Sequence, residues 1–318
     1  MTKPTPDRAR GLWLGQLCGD ALGTTLEFKD AAACRAAYPN GLRDIVGAGP
    51  FGLLPGQVTD DSELALALAR SLVREGADRD AIARAYVGWL RSEPFDCGET
   101  TYRAFAQQGA LEAITAAQLE ARASKTSQAN GSLMRISPLA LYGHSMTAEE
   151  RGAMARADSR LSHPHEACQE ACAAYVEALA VALAGGGAQA AYHAALEVAS
   201  SPAAQRSGVT ESLRNAAQSP PVCDGESIGW VRVALQNAFY HALHAESFES
   251  GVVATVMAGG DTDTNACIAG ALLGALYGEG AIPERWREAV LGCVTPRGES
   301  YQCADARQLA LELTAAAP

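Results

Sequence analysis

The chain has 318 residues, of which 48% are hydrophobic, enough to bury one large core or two small ones. Its 25 Lys and Arg against 36 Asp and Glu give a formal charge of −11 with no basic run to offset it, which excludes a phosphate-backbone binder, so no nucleic-acid partner is expected. Nine cysteines, an odd number without a CxxC pair, suit a reducing compartment better than a disulfide framework.

The first ten residues mix Pro, Asp and Arg, and the apolar run after them is broken by Gly15, Gln16, Gly19 and Asp20. Neither a signal peptide nor a membrane span is read there, so a cytoplasmic protein without membrane insertion is expected. Residues 8–23 carry Leu12, Trp13, Leu17 and Leu22 at helical spacing, which predicts a buried first helix ended by Gly23. Glu27 is the single acid of the turn that follows. Gly47-Ala48-Gly49-Pro50-Phe51-Gly52 spells GxGxxG, but Leu53-Leu54-Pro55-Gly56 follows where a dinucleotide fold would start a helix. That stretch therefore reads as a Gly/Pro loop.

Thr59-Asp60-Asp61-Ser62-Glu63 opens an Ala/Leu-rich helix that closes near Gly76. Thr59 or Asp60 is placed to cap it, and Glu63 stands three residues beyond Asp60 as in a capping box. Capping does not explain the second adjacent acid. A helix over 79–91 breaks at Pro94, and Asp96 then precedes an amphipathic segment that runs to about Gly109, either as its cap or as an acid facing a site. Residues 124–132 form a Ser/Asn/Gly loop of the kind that holds an anion through backbone N–H groups.

Helices are predicted over 147–160, 166–184 and 188–199, with Ser162-His163-Pro164-His165 between the first two. The two histidines do not form a zinc-helix pattern, and Cys168 and Cys172 read as small core residues. Residues 200–226, rich in Ser, Pro, Asn and Gly, look least ordered and read as an internal excursion rather than a linker. Helices over 230–244 and 248–257 lead to Gly260-Asp261-Thr262-Asp263-Thr264, which opens a helix to Tyr277 with Ala266, Ala269, Gly270 and Gly274 along it. Small residues permit close helix packing, so this helix is expected at the centre. Helices over 283–293 and 304–315 close the chain. Strand alternation is almost absent, and the fold class is all-α.

The two acidic clusters offer only oxygen donors, without thiolate or imidazole, and so select a hard divalent cation, magnesium or manganese, over zinc or copper. Asp60, Asp61, Asp261 and Asp263 supply charge for two such ions, which could polarise a water or a vicinal diol between them.

Gly19-Asp20-Ala21-Leu22-Gly23 with Glu27, Thr59-Asp60-Asp61, Asp96-Cys97-Gly98, Asn130-Gly131 with Met134-Arg135, Ser162-His163, and Gly260-Asp261-Thr262-Asp263-Thr264 stand in this order. Together they resemble the ADP-ribosylglycohydrolase family. The resemblance implies a compact, single-domain orthogonal helical fold over residues 1–318, acting as a monomer. It implies two Mg2+ or Mn2+ ions held by Thr59, Asp60, Asp61, Asp261, Asp263 and Thr264. Glu27 corresponds to a glutamate on a movable loop and Asp96 to an acid–base aspartate, while Ser127, Asn130, Gly131 and His163 fall in segments that hold ADP-ribose. The implied activity removes ADP-ribose from modified protein side chains, arginine first. Hydrolysis of another ADP-ribose linkage, or a non-catalytic relative that only binds ADP-ribose, are the alternatives. Ser62 stands where threonine is commoner, and Glu99 where asparagine is commoner, making the surroundings of Asp96 more acidic.

Overall fold

The computed structural model describes residues 2–318. Seventeen α-helices follow one another among them. The first half holds α1 (Pro6–Gly23), α2 (Ala31–Ala37), α3 (Asp60–Glu75), α4 (Arg79–Arg91), α5 (Glu99–Phe105), α6 (Ala116–Arg122), α7 (Pro138–Tyr142) and α8 (Ala148–Ser159). The second holds α9 (Glu166–Leu183), α10 (Ala188–Val198), α11 (Pro202–Arg206), α12 (Val209–Ala216), α13 (Val231–His244), α14 (Phe248–Val256), α15 (Thr262–Tyr277), α16 (Glu284–Gly292) and α17 (Ala306–Ala315). No sheet forms among the described residues, only isolated bridges at Asp30–Gly259, Ala48–Leu53 and Ala129–Trp230.

The centre is the antiparallel pair α1 and α15. Both are apolar on nearly every face and buried along most of their length, as a helix surrounded by others must be. Their sequences explain the closeness of the pair. Gly11 lies against Gly274, Gly15 against Gly270, Gly19 against Ala266 and Gly23 against Thr262, so that a Cβ on any of these glycines would overlap the partner's backbone. A four-residue spacing puts all of them on one stripe of each helix. α9 supports the pair from one side, where the Tyr175 hydroxyl donates to the Ile268 carbonyl at 2.7 Å. One continuous apolar cluster then joins residues from Ala9 to Leu313.

The antiparallel arrangement sets the last turn of α1 beside the first turn of α15, where the Thr262 hydroxyl donates to the Gly23 carbonyl at 2.7 Å. It also brings in α3, whose first turn is capped from another helix. Asp20 of α1 accepts from the Thr59 N–H at 3.1 Å and the Ser62 N–H at 3.2 Å. The capping-box expectation for Asp60 and Glu63 is therefore corrected, because Glu63 turns away to accept from Trp89 Nε1 at 2.8 Å and from Arg297 Nε at 3.0 Å. Two further corrections concern length and order. α5 stops at Phe105 rather than near Gly109, and residues 200–226 contain α11 and α12. The Ser201 hydroxyl caps α11 ahead of Pro202, and Gly208 at φ +77° starts α12, which buries Val209, Leu213 and Ala216.

Candidate active site

The starts of α3 and α15, the turn after α1, the loop before α5 and the loop 127–134 enclose a cavity of about 340 Å³. Seven carboxylates line it, those of Glu27, Asp60, Asp61, Asp96, Glu99, Asp261 and Asp263, and no Lys or Arg does. Glu27, Asp261 and Asp263 each bring one carboxylate oxygen within 4.8 Å of the other two. Asp60 and Asp61 enter from the first turn of α3, and Thr264 lines the wall next to them.

Each acid is held by its own element. The Asp61 carboxylate accepts from the Thr59 hydroxyl at 2.9 Å, and that hydroxyl lies 3.1 Å from Asp20. Asp263 Oδ1 accepts from the Thr264 N–H at 2.8 Å, and Asp261 Oδ2 accepts from the Asn130 amide at 2.7 Å. Asp96 does not cap α5, whose N-cap is Gly98; its Oδ1 accepts from the Cys97 N–H at 2.8 Å. The turn that carries Glu27 is stitched to the residues before Asp261, since the Phe28 N–H donates to Gly260 and the Gly260 N–H to Lys29, both at 2.8 Å. Gly259 and Gly260, at φ +75° and +79°, supply the left-handed backbone this stitch requires.

Of the twelve residues singled out from sequence, Glu27, Asp60, Asp61, Asp96, Asn130, Gly131, His163, Asp261, Asp263 and Thr264 line the cavity. Thr59 and Ser127 stand behind it. Thr59 is fully buried between Asp20 and Asp61, while the Ser127 hydroxyl lies 2.9 Å from that of Thr100. Asn130 spends its amide on Asp261. Asp20 was missed as a site residue. Its signal was the single acid in the glycine-spaced stretch from Gly11 to Gly23.

The cluster is strained electrostatically. Burial, then repulsion from Asp261, Asp96 and Asp60, pushes the Glu27 carboxyl up to about 9. Burial first and neighbouring carboxylates second hold Asp60, Asp61 and Asp263 well above the usual carboxylate range. Asp20 is pushed up to about 7 by burial, against the hydrogen bonds it accepts. Two acceptor oxygens in this set, Glu27 Oε2 and Asp61 Oδ1, are buried with no hydrogen-bond partner in the protein. An orphaned buried carboxylate oxygen is costly unless a cation meets it.

A family model described as ADP-ribosylglycohydrolase matches residues 1–317. The chain belongs to the ADP-ribosylglycohydrolase family. Among its relatives, the ADP-ribosyl-[dinitrogen reductase] glycohydrolase of Rhodospirillum rubrum is 33% identical, covering 90% of this chain and 91% of that protein. The ADP-ribosylarginine hydrolase Tri1 of Pseudomonas putida is 30% identical over 89% of this chain and 74% of its own length. A solved structure described as an ADP-ribosylglycohydrolase-related protein complex superposes with a TM-score of 0.78 at 29% identity, covering 98% of this chain and 99% of that one. This ADP-ribosylglycohydrolase is accordingly a hydrolase by family and all-α by structure, and none of its described helices is long and apolar enough to cross a membrane. Its oxygen-only donors, surplus negative charge and orphaned carboxylate oxygens fit a hard divalent cation.

Proposed function

We propose that this ADP-ribosylglycohydrolase removes ADP-ribose from modified protein side chains, arginine first, using two magnesium or manganese ions. The observation that carries the reading is the cavity of about 340 Å³ with seven carboxylates, no basic side chain and two orphaned carboxylate oxygens. Asp60, Asp61, Asp261, Asp263 and Thr264 on the cavity wall are the proposed ligands, with Glu27 close enough to join them, and Thr59, read from sequence as a further ligand, stands behind them with its hydroxyl on Asp61. When bound, the ions would supply charge to polarise the ribose hydroxyls and the attacking water.

The chain's own residues supply orientation and proton transfer. Hydrolysis breaks the bond from the anomeric carbon to the guanidine nitrogen and forms one to the oxygen of water. A proton must reach the departing nitrogen, and one must leave the water. Asp96 has one oxygen fixed by the Cys97 N–H, and burial raises its carboxyl above the ordinary range, which suits it to hold a proton for transfer. Glu27 is the second candidate for acid–base work. Gly131 and His163, which line the same cavity, are the residues that would contact ADP-ribose, with Ser127 and Asn130 holding the loop and Asp261 in place.

Arginine is favoured as the aglycone because Asp96 and Glu99 make the mouth acidic, a complement to a guanidine, and because relatives carry that activity in their names. The test is a panel of arginine-, serine- and nucleobase-linked ADP-ribose conjugates incubated with the protein and magnesium or manganese. Release of ADP-ribose from the arginine conjugate, abolished by a chelator, is expected. Release from another conjugate alone would reject the arginine assignment, and no release from any at high enzyme concentration would reject hydrolysis.

A further inference from the structure

His163 is 1% exposed, yet its ring forms part of the cavity wall. Behind it lies a buried chain of hydrogen bonds that the proposed reaction does not use. Arg135 donates from Nε to Asp158 Oδ1 at 3.1 Å, from Nη2 to the Asp158 carbonyl at 3.1 Å, and from Nη1 to the Gly131 carbonyl at 2.9 Å. Its guanidinium sits 4.6 Å from the Tyr86 ring centre, and the Tyr86 hydroxyl donates to the other Asp158 oxygen at 2.7 Å. The guanidinium is thereby immobile. Nη1 also donates to the Ser162 hydroxyl oxygen at 2.8 Å, and that oxygen lies 2.8 Å from His163 Nδ1.

The direction of the last bond follows from donor counting. A guanidinium only donates, so Ser162 accepts from Arg135. The single Ser162 proton then needs an acceptor, and among the described residues the neighbour within reach is His163 Nδ1. Were Nδ1 protonated instead, the fully buried Ser162 hydroxyl would have no acceptor for its own proton. The ring proton is therefore on Nε2. No described residue accepts a hydrogen bond from Nε2, and the ring edge that carries it lies against Gly131: a Cβ there would meet Cε1 at 2.9 Å and Nε2 at 3.2 Å. Burial, then the nearby Arg135 charge, pushes His163 down to about 3, which agrees with a neutral ring.

We infer that Arg135 and Ser162 act as positioning residues that fix His163 as a neutral Nε2–H donor for an acceptor oxygen of bound ADP-ribose. This rests on the proposed function for the identity of the ligand, but the tautomer does not. A neutral donor suits this cavity. An imidazolium beside seven carboxylates would compete with the cations for the same charge, whereas an N–H dipole orients a ligand oxygen without doing so.

Two measurements separate the parts. In ¹⁵N-histidine-labelled protein at neutral pH, with the His163 signals assigned by their loss in H163Q, Nδ1 is expected in the unprotonated range and Nε2 in the protonated range. A protonated Nδ1, as the other tautomer or as an imidazolium, would overturn the inference. In calorimetric titration with ADP-ribose, His163→Gln, whose amide N–H falls near the position of Nε2–H, is expected within about threefold of the native affinity. His163→Asn, whose amide falls near Nδ1, should lose about tenfold or more, as should Ser162→Ala, with Ser162→Thr restoring binding. Equal binding by the Gln and Asn variants would sink the donor role. Failure of the native protein to bind ADP-ribose would instead reject the proposed function, with the tautomer still decided by the spectrum.

Discussion

Asp61 and Asp263 are 1% and 2% exposed, and no Lys or Arg lines the cavity they enter, so the protein has no cation there to neutralise them once they ionise. Asp61 Oδ1 has no partner, and its other oxygen accepts from the Thr59 hydroxyl. Such groups destabilise the fold by themselves, a cost that the proposed cations would offset. Asp61→Asn and Asp263→Asn should therefore change stability and binding in opposite directions. At a pH high enough to ionise the cluster, removing one like charge from it should raise the melting temperature of the metal-free protein by about 2–4 °C, the shift that roughly 1 kcal/mol produces in a large domain. The same substitutions should weaken magnesium or manganese binding by at least about tenfold and reduce ADP-ribose release with it. Calorimetry on metal-free and metal-saturated protein reads both effects. A variant that melts lower without metal and binds the ion unchanged would show that these carboxylates do no more than accept the hydrogen bonds of Thr59 and Thr264.

The pairing of α1 with α15 places the site, and it depends on glycines that leave no room for a side chain. At Gly15 and Gly270 each Cβ would overlap the carbonyl of the other. Gly15→Ala should accordingly cost about 1–3 kcal/mol in denaturant unfolding, despite alanine's better helix propensity. Because Asp20 lies one turn and a residue further along α1 and caps α3, the same variant should also lose cation affinity. Unchanged stability would mean the two helices can move apart freely. That each helix is buried was legible in sequence, α1 from Leu12, Trp13, Leu17 and Leu22 at helical spacing and α15 from Ala266, Ala269, Gly270 and Gly274. Their pairing was not, because the four-residue repeat of Gly11, Gly15, Gly19 and Gly23 permits a close approach without naming the helix that makes it. The acids at the start of α3 and α15 were legible for a related reason, since charged residues at the mouth of an apolar helix need an explanation beyond capping. Long-range polar partners were not. Glu63 reads as half of a capping box until the fold brings Arg297 to it from 234 residues away, and the donor for Asp261 is Asn130, 131 residues away. Local spacing carries no information on either pair. The helices within 200–226 were hidden by composition, because Ser201, Pro202 and Gly208 are turn residues that here serve as helix starts.

At the scale of the whole molecule, an overall charge of −11 and a buried acidic cavity make stability depend on pH and on the cation together. The sign follows from where each proton sits. Glu27, Asp20, Asp60, Asp61, Asp96 and Asp263 all have folded-state values raised above the ordinary one, Glu27 to about 9 and Asp20 to about 7. Between the unfolded and folded values the native state holds more protons than the unfolded chain, so their contribution is fully present at low pH and is lost as pH rises. His163 and His241 run the other way. Burial lowers them from 6.5 to about 3 and about 4, so their contribution is present above 6.5 and is lost as pH falls below it. Above pH 6.5 the carboxylates act without opposition from these histidines. The melting temperature of metal-free protein is expected to fall steadily from about pH 6.5 to about pH 8.5. Saturating magnesium or manganese should reverse that slope, because the ion binds the ionised carboxylates and adds stability in proportion to its affinity, which itself rises as they lose protons. Melting curves at several pH values, each with chelator and with excess ion, give both slopes. A metal-free melting temperature that rises with pH over this window would mean the cavity acids are ionised at little cost, and the electrostatic argument for two cations would lose its basis.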